Sequence, residues 1–395
     1  MIGRLSRALR RRLERGAAST LRRAFIPAIQ GLRGVSAVSV LAVHVWLMAR
    51  HAGMIPWPLP AWLEVGLPTL GQGVSLFFII SGFLIPASLM RHGSTGRFLL
   101  DRALRIMPLF LLLHVAVFVL GPLIGYKEFR GMAVGDYLAT FFANLFFLAP
   151  LTGHFLVQQN SWTLTYEWGF YIITALGFAG LAAPRRRWLS VLAVAAAVVA
   201  AVASPFVLFF ALGAAFAILD ARLRLPRGLG WPVWAAALAG FFYANQYVGV
   251  AVALPLGALV YGILLDPRSG PARLLSGPAF QYLGKISYSL YLIHPFALFP
   301  FTLLLPKLAA RGADPELLFL IYLSVAPVVV MAASEISHRL VEVRARQRIS
   351  AWLDGVVAPP GPERGELAAS GGASRGVALA AGELPGAPRP AATPR

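Results

Sequence analysis

The chain has 395 residues, 35 Lys and Arg against 16 Asp and Glu for a net charge of +19, 58% hydrophobic and 13% charged residues, and no cysteine. A soluble domain carries about a quarter charged residues, so with a mean hydropathy of +0.71 this is read as a polytopic membrane protein, and the missing cysteine excludes a disulfide framework, a thiolate metal site and a Cys nucleophile. The positive charge lies in short runs between apolar stretches, which fits orientation in a bilayer and argues against nucleic acid as a partner.

The first 25 residues hold eight arginines and one acid. They read as a basic cytoplasmic arm, because the apolar segment after them contains Arg33 and His44 and lacks a small-residue cleavage site. Residues 26–345 form the membrane domain. Within and around it lie eleven apolar stretches, near 31–49, 70–90, 106–124, 137–150, 162–183, 187–202, 204–219, 231–247, 248–265, 284–305 and 316–338. The basic connections run from Arg91 to Arg105, Arg185 to Arg187, Arg222 to Arg227, Arg268 to Lys285 and Arg339 to Arg348. They share one side of the membrane only if one stretch fails to cross, and 137–150 is the short one against the about 20 apolar residues a span needs. The expected fold class is therefore all-α, with about ten transmembrane helices, one short non-spanning segment and both termini cytoplasmic. Residues 346–395 read as a cytoplasmic, largely disordered tail rich in Gly, Ala and Pro.

The first stretch carries the chemistry. Arg33 and His44 are eleven residues apart, which on a helix is roughly 16 Å along the axis and about 20° around it. One face thus bears a fixed cation near the cytoplasmic surface and a titratable imidazole deep inside. Intramembrane ionisable groups face a protein interior or a cavity, so each is a candidate functional group. Glu167 follows the outer end of its own inward-running stretch and is expected at the depth of His44, where a carboxylate can orient an imidazole as part of general-base machinery.

Five segments in order resemble one family. IPAIQGLRGVSAVSVLAVH at 26–44 contains a basic residue, ten intervening residues and a histidine; GVSLFFIISGFLI at 73–85 follows; RFLLDRALRIMPLF at 97–110 holds an R-x-x-R element in Arg102 and Arg105; NSWTLTYEWGFY at 160–171 holds Trp, Leu and Glu167; LGKISYSLYLIHPF at 283–296 ends on His294. Together these are similar to the membrane-bound acyltransferase family three, the bacterial O-acetyltransferase type. Gln30 stands where an acid usually precedes Gly-Leu-Arg-Gly, and HRLVEVRA at 338–345 matches the family's closing Glu-(Lys/Arg)-Pro segment only loosely. A fused esterase-like domain found in some relatives is not expected.

The resemblance implies an integral protein of a bacterial inner membrane that transfers an acyl group, foremost acetyl, from acyl-coenzyme A to a hydroxyl of a carbohydrate or glycoconjugate such as exopolysaccharide or O-antigen. It implies Arg33, Arg102 and Arg105 as donor-binding residues, since the forked donors of arginine suit phosphate. His44 removes the acceptor proton or transiently accepts the acyl group, with Glu167 orienting it; both routes stay open. Trp162, Tyr166, Ser287, Tyr288 and His294 are candidates for lining the cavity. Acyl-coenzyme A is the expected co-substrate, the lipid bilayer and a carbohydrate acceptor the expected partners, and no metal is expected. A secondary transporter of an anionic or acylated molecule is the alternative, weakened by the lack of an internal repeat. A non-catalytic membrane scaffold is the second, and it leaves Arg33, His44 and Glu167 without purpose.

Overall fold

The computed structural model describes residues 26–55, 57–124, 126–219, 222–226 and 228–357. The basic arm of 1–25 and the stretch 358–395 of the expected tail lie outside the described residues. Among the described residues every regular element is a helix, as lipid demands of a backbone that must satisfy its own polar groups. They are α1 (Pro27–His51), α2 (Ala61–Thr69), α3 (Gly73–His92), α4 (Thr95–Leu123), α5 (Val134–Leu145), α6 (Ala149–Thr152), α7 (Trp162–Ala182), α8 (Arg187–Ala203), α9 (Leu208–Leu219), α10 (Gly230–Tyr247), α11 (Val250–Leu264), α12 (Gly270–Leu275), α13 (Pro278–Ala309), α14 (Pro315–Ser337) and α15 (Arg346–Val357). An eight-residue π-helical turn, His338–Ala345, joins the last two. The chain divides into two units at residue 350, and every site residue described below lies in the first.

Local chemistry explains the ends of these helices. Pro27 opens α1 at a position whose amide has no helical partner, and Arg50 and His51 close it near the negative end of the helix dipole. α3 stops at Gly93, which takes the left-handed conformation at φ 62°. The Asp314 side chain accepts the Glu316 amide at 2.9 Å and caps α14.

Among the described residues six helical stretches are long and apolar enough to cross a membrane: Pro27–His51, Ala61–His92, Thr95–Leu123, Pro184–Ala203, Pro278–Ala309 and Pro315–Leu353. The shorter apolar helices Pro205–Leu219 and Val250–Leu264 accompany them. α8 shows why lipid is the solvent. Val191, Val194, Val198 and Val202 are each more than half exposed, and a helix apolar on its open faces needs an apolar medium. The chain is therefore an integral membrane protein. α5, with 12 residues, spans about 18 Å, well short of a bilayer core.

Two expectations change. Arg102 and Arg105, read from sequence as part of a connection, lie on α4, which runs without a break from Thr95 because Arg, Leu and Ala favour helix over an open loop. Residues 346–357, expected to begin a disordered tail, form α15.

Candidate active site

α1 and α13 make the most extensive helix–helix contact in the fold. A Cβ on Gly34 would lie 2.7 Å from Leu283 Cβ and 2.8 Å from the Gly284 nitrogen, and one on Gly284 would run into the Gln30 carbonyl. Only glycine permits this approach, the small-residue device by which membrane helices pack. Ten residues beyond Gly34 is His44, and ten beyond Gly284 is His294. Equal steps of about 15 Å along two parallel helices bring the rings to one level. Their centroids are 4.7 Å apart at 61°.

Each imidazole is oriented by its own helix. Nδ1 of His44 lies 2.8 Å from the Val40 carbonyl and Nδ1 of His294 lies 3.1 Å from that of Leu290. A carbonyl can only accept, so Nδ1 carries the proton in both and Nε2 keeps its lone pair in the neutral ring. His294 is 1% exposed and its Nε2 has no hydrogen-bond partner. Next to it, Pro295 removes the amide that would bind the Tyr291 carbonyl. Asn160 replaces it: its Nδ2 donates to the carbonyls of Tyr291 and, at 3.3 Å, Leu292, while the Tyr291 hydroxyl donates to the Asn160 carbonyl at 3.0 Å. The loop before α7 is thereby pinned inside the bundle, with Gln158, Asn160 and Ser161 all buried.

That pin decides where Glu167 goes. α7 starts within the protein, and Glu167, five residues in, lines a small cavity of about 90 Å³ together with Arg33, Arg102, Arg105, Ser287 and Tyr288. Its carboxylate accepts from Ser81 Oγ at 3.3 Å and from the Tyr171 hydroxyl. Among the described residues no hydrogen bond joins Glu167 to His44. The expectation that Glu167 orients His44 is thus replaced by the Val40 carbonyl, since a helix that begins inside the bundle carries its first turns away from the level of His44. Neither His44 nor His294 lines this cavity, contrary to the expectation for His294; Tyr291 does, and its ring centroid is 6.1 Å from that of His294.

The arginines are not equivalent. Arg33 Nη1 donates to the neutral Gln30 at 3.3 Å, and around it the like charge of Arg105 is offset by Glu167 and Glu342. Arg102 is bound to Asp101 at 2.5 Å. Arg105 makes no hydrogen bond or ion pair among the described residues, which leaves its guanidinium open to the cavity. Ser287 spends its hydroxyl on the Gly284 carbonyl at 2.9 Å, and Tyr288 ties α13 to α4 through the Ile106 carbonyl at 2.6 Å. Trp162 and Tyr166 do not line this cavity: Trp162 packs on Phe78 and Phe206, and Tyr166 on Phe206. Both rings are partly buried and pack against the apolar core. Among the described residues no group of three or more His, Cys, Asp or Glu is placed to hold a metal ion.

Sequence reading missed Tyr171, Asn160, Tyr291 and Asp101. Tyr171 was legible as the i+4 neighbour of Glu167; the role of Asn160 depends on Pro295, far away in the chain.

A family model described as the acyltransferase domain matches residues 26–335. The chain belongs to this acyltransferase family. The acyltransferase is 30% identical over 318 residues to the exopolysaccharide production protein ExoZ of Rhizobium meliloti (strain 1021), an alignment covering 73% of this chain and 95% of ExoZ. It is 26% identical over 165 residues to the peptidoglycan O-acetyltransferase OatA of Listeria monocytogenes, covering 38% of this chain and 24% of OatA. It is also 31% identical over 167 residues to nodulation protein 10 of Rhizobium leguminosarum bv. viciae, covering 36% of this chain and 41% of that protein. No solved structure matches significantly.

Proposed function

We propose that this membrane acyltransferase moves an acetyl group from acetyl-coenzyme A to a hydroxyl of a carbohydrate, with exopolysaccharide the favoured acceptor class. The acceptor reading rests on the similarity to ExoZ along nearly its whole length. The observation that carries the chemistry is the His44 tautomer: Nδ1 is committed to Val40, so Nε2 holds the lone pair. It sits on the same helix face as Arg33. A cavity of about 90 Å³ admits only the end of a flexible donor, and Arg33 and Arg105 give that end a cationic wall.

In the reaction, His44 Nε2 takes the acceptor hydroxyl proton as the oxygen attacks the thioester carbonyl. The C–S bond then breaks, and the departing thiolate recovers the proton from the imidazolium. Atoms and charge balance with no further reactant. Glu167, held by Ser81 and Tyr171, acts on the charge of Arg33 rather than on the imidazole. The ten-helix count, the inner-membrane location and the cytoplasmic termini belong to this same reading, because they bring the arginines to the side where coenzyme A is found.

The test is transfer of labelled acetyl from acetyl-coenzyme A to purified exopolysaccharide by the purified protein in vesicles. The wild type is expected to transfer, and His44→Ala to lose activity by about 10²–10⁴-fold with unchanged melting. Near-normal turnover by His44→Ala removes the imidazole from the mechanism. Label retained on the protein with donor alone marks an acyl-histidine route, and uptake of label into vesicles without turnover favours transport instead.

A further inference from the structure

Asp101 is flanked by more positive charge than it can neutralise. Its Oδ2 receives Arg102 Nη2 at 2.5 Å, its Oδ1 receives Arg346 Nη2 at 2.6 Å, and His92 Nε2 lies 3.9 Å from Oδ2. One carboxylate thus yokes two guanidinium groups and leaves a net positive charge. Arg102 belongs to the cavity already described, where it faces the same space as Arg33 and Arg105. Arg346 arrives from the far end of the chain, at the close of the π-helical turn, an irregular geometry that clusters at functional sites.

The donor count shows that the yoke is not saturated. Each guanidinium has five N–H groups. Arg102 directs only Nη2 toward partners, Asp101 and, at 3.5 Å, Ser88 Oγ, while its Nε is buried with no partner at all. A buried, unspent donor on a charged group costs free energy unless a ligand satisfies it. Arg346 spends one nitrogen on Asp101 and is 39% exposed, so its remaining donors can reach an incoming ligand. Two planar forks fixed by a shared carboxylate suit a tetrahedral oxyanion with several acceptor oxygens, and a phosphate fits this better than a carboxylate does.

We propose that Arg346 and Arg102, yoked by Asp101, form a phosphate fork that holds the phosphate-bearing end of the acyl donor. This rests on the acyl-coenzyme A reading above and adds Arg346 to the donor site as a residue no sequence motif marks. Asp101 is a positioning residue: it aims both arginines without touching the donor. The π-helical turn completes the site because only its course brings Arg346 beside α4.

The experiment uses the full chain in an uncharged detergent free of phospholipid, with coenzyme A as binding probe and two thioesters as substrates, acetyl-coenzyme A and S-acetylpantetheine, which has the same arm without the nucleotide phosphates. Arg346→Ala is expected to weaken coenzyme A binding by about tenfold or more and raise KM for acetyl-coenzyme A to match, with S-acetylpantetheine turnover unchanged. Arg346→Lys, which keeps the charge and loses the fork, is expected to fall between. Unchanged coenzyme A affinity in Arg346→Ala overturns the proposal and returns Arg346 to a topology-setting charge. Equal losses with both thioesters overturn it in favour of a structural latch. A loss seen only in vesicles of anionic phospholipid overturns it in favour of a lipid-headgroup site. Failure of the wild type to bind coenzyme A is a different result: it sinks the donor reading itself, and the fork with it.

Discussion

Gly34→Ala tests whether the glycine crossing of α1 and α13 sets the imidazole pair. The added Cβ would lie 2.7 Å from Leu283 Cβ and 2.8 Å from the Gly284 nitrogen. Carbon atoms rest at about 3.5–4.0 Å, so the helices must part by roughly 1 Å at this point. Neither neighbour can rotate away, because one is backbone and the other a Cβ. Overpacking of this kind costs about 1–3 kcal/mol. The larger effect is kinetic: displacement of a reacting group by about 1 Å can lower the rate about a hundredfold, and His44 and His294 lie ten residues along the same two helices. Acetyl transfer to exopolysaccharide, measured beside melting temperature, should fall about a hundredfold while the melting temperature drops by only a few degrees. Gly169→Ala is the control, since nothing lies within 4 Å of its would-be Cβ and the change should be neutral or mildly stabilising. Wild-type turnover in Gly34→Ala would refute the idea that this close approach positions the pair.

Further outcomes follow from the same geometry. Arg105→Ala should raise the donor KM by about ten- to hundredfold, the loss of one charge-assisted hydrogen bond, and steady-state kinetics showing an unchanged KM would remove Arg105 from the donor site. Asn160→Ala leaves the Tyr291 carbonyl beside Pro295 without its donor, so thermal unfolding should show a loss of about 1–3 kcal/mol; unchanged melting would mean that water takes over that bond. The native chain has no cysteine, so single cysteines report topology cleanly: those replacing Arg186 and Gly228 should be labelled from the cytoplasm alone and one replacing Pro58 from outside, whereas external labelling at 186 would contradict the single-sided placement of the basic connections.

The topology shows how far sequence reached. Apolar stretches are local properties, so the helical class and the weak stretch at 137–150 were legible before any contact was known. The parallel run of α1 and α13 adds a constraint that no local property contains. Gly34 meets Gly284 and His44 meets His294 in the same order along both helices, so an odd number of crossings separates them. A reading in which all eleven apolar stretches span would set the two antiparallel.

By itself, the sequence determined the membrane class, the single helix face shared by Arg33 and His44, and the presence of Arg102, Arg105, Glu167 and His294, because composition and a period of 3.6 residues act within one segment. Tertiary structure decided which of these groups meet. Glu167 joined the arginines instead of His44 because Asn160, anchored at the carbonyl that Pro295 leaves open, draws the start of α7 into the bundle. His294 became the neighbour of His44 because two glycines let their helices touch. Arg346 reached Asp101 across most of the chain because the π-helical turn after α14 carries it back to α4. Each pairing depends on where helices cross, and crossing points are set by packing between segments distant in sequence.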